Sequence, residues 1–466
     1  MNDRRAPGPV ARPGPVLVDG PREVAAAALA RVLDDAAWAQ PTLSSALDAS
    51  AMTERDKGLA TELFYGALRF AGPLEKSLLR AAAKPGKGLD ARIRPHLLIA
   101  AYQLQHLSER IPAHAVVSSA VTSIKRIRPG LDGFANALLR HLGSPLHALL
   151  KPEAILFEIA EAWGVPYALA KAVTKGQPVD KQQEIVASLC ARPTTWALFF
   201  GSPEAVTSTT AVPADNKLTP HAFVPRSFAL AAGRVSAQPG FVDGEFLVMD
   251  PGSALCALAA TAAPGSMVLD LCAAPGGKSM VLADAVGKAG RIIAVEQHAR
   301  RAERIGENAR RLGLTGRIET VVGDAGDLDG ALTDHGAPLD GYDTVVLDAP
   351  CSGLGTTRRK PEVKLKNAEA DVASSLPTQA RLFDAAAARV KVGGVLVYSV
   401  CSPMPQEGEQ QVEQFLARHP GYVRESIAEV LPWLPKDAVD AHGQVHLLPH
   451  LHDADAFFIA RLRRTA

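Results

Sequence analysis

Two cysteines in this chain follow short apolar runs directly, in Asp348-Ala349-Pro350-Cys351 and in Ser399-Val400-Cys401-Ser402. A thiolate so placed can attack carbon, provided neighbours such as Lys278 or a helix N-terminus lower its pKa. A third apolar run ends in Asp270-Leu271-Cys272-Ala273-Ala274-Pro275-Gly276-Gly277-Lys278-Ser279, where small residues let a ligand approach backbone amides at the start of a helix. A nucleotide-like cofactor is the expected ligand. The stretch is not a P-loop, because Cys272 stands six residues before Lys278 where that motif needs glycine, and it is not a G-x-G-x-x-G turn. Glu296 closes a further apolar run, a position from which a carboxylate accepts hydrogen bonds from ribose hydroxyls. Asp324 and Asp348 close two more. Any one such acid is more often a helix cap or a solvated loop residue. Four successive runs ending in either the glycine turn or an acid reverse that weighting. Cys190 and Cys256, outside these motifs, read as small buried hydrophobes.

The runs that carry these residues are SMVLDLC, RIIAVE, IETVVGD, YDTVVLDA and GGVLVYSV, with helix-like segments between them. Such alternation predicts a parallel, doubly wound α/β sheet that binds ligands at the carboxyl ends of its strands. We assign this catalytic domain to residues 246–466. Residues 22–142 show apolar positions three and four apart, as at Leu59, Leu63, Leu97, Leu98, Ala101 and Leu104, and predict an all-helical domain. Between them, residues 151–245 read as a small α+β lobe, with a helix around Ile155 to Ala170, another near Gln182 to Cys190, and a strand in TTWALFF. Residues 1–21, rich in proline and glycine without apolar periodicity, read as a flexible tail.

Hydrophobic residues at 47% and charged residues at 21% are globular usage over 466 residues, which excludes fibrous and largely disordered classes. The net charge of +1 excludes a wholly basic coat protein, yet the charge is uneven. Residues 1–142 hold 19 basic and 13 acidic residues (+6), which leaves 31 and 36 (−5) of the 50 and 49 for the remainder. Lys84, Lys87, Arg92, Arg94, Lys125, Arg126 and Arg128 cluster there as solvated charge or as contacts to RNA. Five cysteines without a C-x-x-C pair indicate neither a disulfide framework nor a cysteine zinc site, and they fit a reducing cytoplasm. The arginine-containing N-terminus lacks the apolar core of a signal peptide, and the uncharged run from Pro251 to Leu269 is broken by Pro264 and Gly265, so no membrane span is expected.

DLCAAPGGKS, DAPCSGLGTTRR, the cysteine of YSVCSP and the tail DADAFFIARL resemble the S-adenosylmethionine-dependent RNA cytosine-C5 methyltransferases of the NOL1/NOP2/Sun group. RDKGLATELFYGALR, LLIAAYQLQHLSERIPAHAVV and GFANALLRHL resemble the NusB-type helical RNA-binding domain fused to the bacterial 16S ribosomal RNA enzymes of that group. The resemblance covers Arg22 to Arg464 and is weakest over residues 151–245. It implies a Rossmann-like methyltransferase domain with S-adenosyl-L-methionine as cofactor. Cys272, Ala273, Ala274, Pro275, Gly276, Gly277 and Lys278 would line its methionine and ribose side, with Glu296 on the ribose hydroxyls and Asp324 near the adenine. Asp348 would complete the pocket and face the target base, protonated or sharing a proton with N3. Cys401 would attack C6 of cytosine and Cys351 would assist product release. The implied partner is RNA, 16S ribosomal RNA first, bound by a cytoplasmic monomer without a metal.

The chain departs from the group's pattern at Val400 (commonly Thr), Ala456 (commonly Gly), Met249 (commonly Gln) and after Lys364, where Leu365 stands in place of Trp. Three alternatives are open. A DNA cytosine-C5 methyltransferase attacks with a cysteine that follows proline, as Cys351 follows Pro350. Another RNA, such as tRNA, is a second possible substrate, and a non-catalytic NusB-like RNA-binding factor is the third reading. A Pro-Pro-Tyr amino-methyltransferase signature is absent after the fourth strand.

Overall fold

The computed structural model describes residues 20–82, 88–200, 218–231, 233–238 and 240–466, and the chain divides into two units, Met1–Leu149 and Leu150–Ala466. The described part of the first unit is helical, with α-helices Pro21–Asp34, Ala39–Asp48, Glu54–Arg69, Ala71–Ala81, Arg94–His106, Ala113–Ile127 and Asp132–Arg140. Glu54–Arg69 shows why these segments are helices. Thr53 accepts from the Asp56 amide at 3.2 Å, Glu54 and Asp56 sit in the positive first turn, and Arg69 lies in the last. Its Ala60, Leu63, Phe64, Ala67 and Leu68 are buried on one face, each large side chain contributing about 1.5–3 kcal/mol. Arg94–His106 buries Leu97 to Gln103 without interruption, so it runs through the centre of the unit.

The basic clusters of this unit are largely matched by acids. Arg94 pairs with Glu75 at 2.8 Å, Arg126 with Glu23 at 3.2 Å, and Asp90 with both Arg92 at 3.2 Å and Arg128 at 3.7 Å. Lys125 is exposed. Lys84 and Lys87 lie outside the described residues.

The second unit opens with helices where one was expected. Leu156–Trp163 ends at Gly164, whose φ of 64° is left-handed, and Pro166 then caps a separate helix, Tyr167–Val173. Beyond the helix Gln182–Ser188 a four-stranded antiparallel sheet forms from β1 (Trp196–Phe199), β2 (Thr219–Pro220), β3 (Ser227–Ala229) and β4 (Phe246–Val248), in the order β2-β3-β1-β4. β4, past the boundary expected at 245/246, pairs with β1.

The larger sheet has eight strands: β5 (Met267–Leu271), β6 (Arg291–Glu296), β7 (Ile318–Val322), β8 (Tyr342–Asp348), β9 (Val390–Val400), β10 (Tyr422–Glu425), β11 (Val445–Leu447) and β12 (Phe457–Arg464). Their order is β10-β12-β9-β8-β5-β6-β7, with β11 also paired to β12. The five strands read from the sequence are parallel, whereas β12, β10 and β11 are antiparallel additions at one edge. Side chains alternate between two cores. Val268, Ile292 and Val346 pack on one face with Leu255, Met280 and Ile305, while Leu269, Ile293, Val345 and Leu347 pack on the other with Phe383, Tyr398 and Phe415. β5 pairs with β6 on one side and β8 on the other. The strand order reverses there, opening a crevice beyond its carboxyl end. No described helix is long and apolar enough to cross a membrane.

Candidate active site

Strand register brings the expected site residues to one end of the sheet. Leu271 lies opposite Val295 and Leu347, Glu296 opposite Val322, and Asp348 opposite Ser399. Past β5 the chain turns sharply. Cys272 has a φ of 60°, Ala274-Pro275 is cis, and Gly276 has a φ of 98°. A Cβ at Gly276 would lie 3.2 Å from the Ile305 backbone, so both conformation and space require glycine there. The helix Gly277–Val286 begins at the next residue, its first amides free to face the crevice. Met249 lies beside the turn, its Cε 3.4 Å from where a Cβ on Gly277 would stand.

Lys278 and Asp348 form the electrostatic centre. Lys278 Nζ donates to Asp348 Oδ2 at 2.6 Å and to Ser253 Oγ at 3.0 Å, and Ser399 Oγ donates to Asp348 Oδ1 at 2.8 Å. Burial alone would lower the ammonium's pKa, but the surrounding groups, Asp348 foremost and Asp270 with it, together hold Lys278 above its usual range. Both Asp348 oxygens therefore act as acceptors. The hydrogen bonds of Lys278 run to Asp348 and Ser253, so its charge is held at the aspartate. Cys256, fully buried, donates to Ser399 at 3.1 Å, and burial pushes its thiol up to about 12. Cys190 is buried too, against Trp163 O at 3.3 Å and Lys364 Nζ at 3.2 Å.

Cys351 Sγ and Cys401 Sγ lie 3.4 Å apart, and both residues are partly exposed. Their turns are linked through Gly355, whose amide donates to Cys401 O at 3.0 Å and whose carbonyl accepts from Ala456 at 3.0 Å. The hydrogen bond with Cys401, burial, and the charges of Cys401 and Glu407 all raise the Cys351 thiol well above its usual range. At this spacing either sulfur can donate a hydrogen bond to the other.

Glu296 is almost fully buried, and its Oε1 accepts from the His298 amide at 3.0 Å and faces Arg301 at 3.3 Å. Arg301 also donates to Ala274 O at 3.2 Å, so it bridges the glycine turn and the acid. Asp324 lies two residues past β7 rather than on it. The Gly326 amide at 2.9 Å and Arg381 hold its carboxyl below the usual range. Cys272, at the turn, is pushed up to about 12 by burial and by the nearby carboxylates, and reads as lining rather than as a nucleophile.

Sequence reasoning missed Arg301, Ser253, Ser399 and Glu407. Arg301 carried a signal in its position on the first turn of the helix Ala299–Arg311, which follows Glu296 directly after a short turn. Ser253 and Ser399 carried none, since a serine on an apolar element reads as packing. Among the described residues no group of three or more His, Cys, Asp or Glu is arranged to hold a metal.

A profile described as 16S rRNA methyltransferase RsmB/F matches residues 257–463, and one described as the NusB family matches residues 19–144. Ribosomal RNA small subunit methyltransferase B of Pseudomonas syringae pv. tomato is 33% identical over 454 residues, covering 96% of this chain and 97% of that protein. Among solved structures, PH0851 superposes with a TM-score of 0.76 at 23% identity, over 95% of this chain and 99% of that one. A methyltransferase homolog protein from Pyrococcus horikoshii gives a TM-score of 0.54 at 20% identity, over 68% and 100%. The two structural likenesses establish the fold.

Proposed function

The chain belongs to the ribosomal RNA small subunit methyltransferase B family, and from that premise we propose that it methylates C5 of a cytosine in 16S ribosomal RNA through a covalent bond from Cys401. The observation that carries this reading is the pair of sulfurs 3.4 Å apart, on the turns that follow Asp348 and its strand neighbour Ser399. S-adenosylmethionine, when bound, supplies an electrophilic methyl group on sulfonium. The turn fits such a molecule: small residues from 272 to 277 leave backbone room, the helix N-terminus favours its carboxylate, and Glu296 offers an acceptor to ribose hydroxyls.

C5 of cytosine is too poor a nucleophile to take a methyl group unaided. The Cys401 thiolate forms a bond to C6, and the displaced electron pair makes C5 enamine-like. Asp348, anchored by Lys278 and Ser399, would bring the proton that it then shares with N3 while the ring gathers charge. C5 then takes the methyl group, the C5 proton is lost to a base, the C6–S bond breaks and the thiolate returns. Cys351, kept protonated by its surroundings, would donate its S–H to the departing sulfur and so favour release. The base must be unstacked for any of this, so a single-stranded loop or a flipped nucleotide is the target. Ribosomal RNA as substrate places the reaction in the cytoplasm.

The test is to incubate the full chain with S-adenosylmethionine and unmodified 16S ribosomal RNA, then map the product by bisulfite sequencing. One protected cytosine is expected. Methylation of tRNA instead would correct the substrate, and binding of RNA without methyl transfer would favour a non-catalytic factor.

A further inference from the structure

Glu407 is a fully buried carboxylate six residues past Cys401, and its acceptor sites are filled. Oε1 accepts from the Ser352 amide at 2.7 Å, Ser375 Oγ at 2.6 Å and Gln379 Nε2 at 3.2 Å, and Oε2 accepts from Ser352 Oγ at 2.6 Å and Ser402 Oγ at 2.5 Å. Ser352 directly follows Cys351 and Ser402 directly follows Cys401, while Ser375 and Gln379 lie on the helix Ala368–Arg389. Gln379 also donates to Pro350 O at 3.0 Å, on the other side of Cys351.

We propose that Glu407 is a positioning residue for methyl transfer, whose carboxylate clamps the turn after Cys351 to the turn after Cys401 and so sets the distance between the two sulfurs. The proposal rests on the roles given above to those cysteines. Its donors are hydroxyls and amides, an expensive way to bury a carboxylate where an apolar side chain would cost less. What that burial achieves is a common anchor for two turns 50 residues apart in sequence. The charge has a second effect, since it opposes ionisation of Cys351 and helps keep the proton on that sulfur.

The test uses the full chain with two variants and two readouts. Glu407→Gln keeps the volume and removes the charge, while Ser402→Ala removes one tie and keeps the charge. Both should lower kcat for methyl transfer by about 10- to 100-fold, the cost of misplacing a reacting group by an ångström, with KM for RNA and affinity for S-adenosylmethionine within about 2-fold of wild type. The second readout is alkylation of Cys351 by iodoacetamide against pH, without RNA, read by peptide mass spectrometry. Cys351 should react at lower pH in Glu407→Gln and at the wild-type pH in Ser402→Ala. A wild-type kcat in either variant overturns the clamp. An unmoved Cys351 profile in folded Glu407→Gln overturns the role of the charge. Should Glu407→Gln fail to fold, Ser402→Ala alone decides the clamp, through kcat against KM. A wild-type protein that makes no 5-methylcytidine, with the alkylation shift present, would overturn the proposed function and leave the coupling of Glu407 to Cys351 standing.

Discussion

Asp270 sits under the glycine turn with Oδ2 accepting from Ser279 at 2.5 Å and no hydrogen-bond partner for Oδ1 among the described residues. Burial raises its carboxyl to about 7, with Ser279 and Lys278 opposing. An acid with a raised folded pKa binds its proton more tightly folded than unfolded, so the stability it gives is full below about 4 and is lost as pH rises through about 7. Asp270→Asn mimics the protonated form. Thermal unfolding followed from pH 4 to 8 should fall less for that variant than for wild type, and the residual slope belongs in part to Asp455, also raised to about 7 by burial. Equal slopes would contradict the assignment. Glu296→Ala should weaken S-adenosylmethionine binding by roughly 1.5–3 kcal/mol, because ribose hydroxyls lose a charged acceptor, and calorimetry measures this directly. At this scale the sequence revealed the residues that the structure gathers at the carboxyl ends of the strands, because nucleophiles, acids and glycine turns announce their chemistry by type. It did not reveal Ser399 or Glu407, which act on Asp348 and on the cysteine turns through pairings far along the chain.

Elements were legible where one periodicity ran uninterrupted. β5, β6, β7 and β8 stand where their apolar runs predicted; β5, β6 and β8 are largely buried on both faces, which demands near-continuous apolar runs, whereas β7 is a partly exposed edge strand. The tail DADAFFIARL was readable only as a motif; in the structure it is β12, paired antiparallel to β9 with Phe458 opposite Val400. The helix expected from Ile155 to Ala170 breaks at Gly164, a single left-handed residue that apolar spacing does not report. The loop after Cys351 depends on a similar detail. A Cβ on Gly355 would lie 2.0 Å from Ala456 O and 2.8 Å from Cys401 O, both backbone atoms. Gly355→Ala should therefore destabilise the second unit by about 1–3 kcal/mol and depress methyl transfer more than cofactor affinity. Urea unfolding with a parallel kinetic assay checks both, and a fully active, equally stable variant would refute the packing argument. Arg358 and Arg359, read only as part of a motif, reach Asp453, Asp455 and Asp250 across about 100 residues of sequence or more.

Over the whole molecule the sequence's charge asymmetry, +6 against −5, suggested RNA contact by the first unit. The ion pairs of Arg92, Arg94, Arg126 and Arg128 narrow that idea, since an arginine already held by a carboxylate contributes less to a phosphate. Lys125→Ala with Arg128→Ala should still flatten the salt dependence of RNA affinity, by roughly 0.7 in log–log slope for each phosphate that is no longer neutralised. An unchanged slope would mark these charges as solvated surface. The central claim, a covalent bond from Cys401 to the target cytosine, is tested most directly by mixing each cysteine variant of the full chain with S-adenosylmethionine and RNA and running denaturing electrophoresis. Cys351→Ala should attack and transfer the methyl group but stall at elimination, leaving a protein–RNA adduct that survives denaturation, whereas Cys401→Ala should give neither adduct nor 5-methylcytidine. An adduct that forms with Cys401→Ala and vanishes with Cys351→Ala would contradict the account and give the attack to the sulfur that follows Pro350.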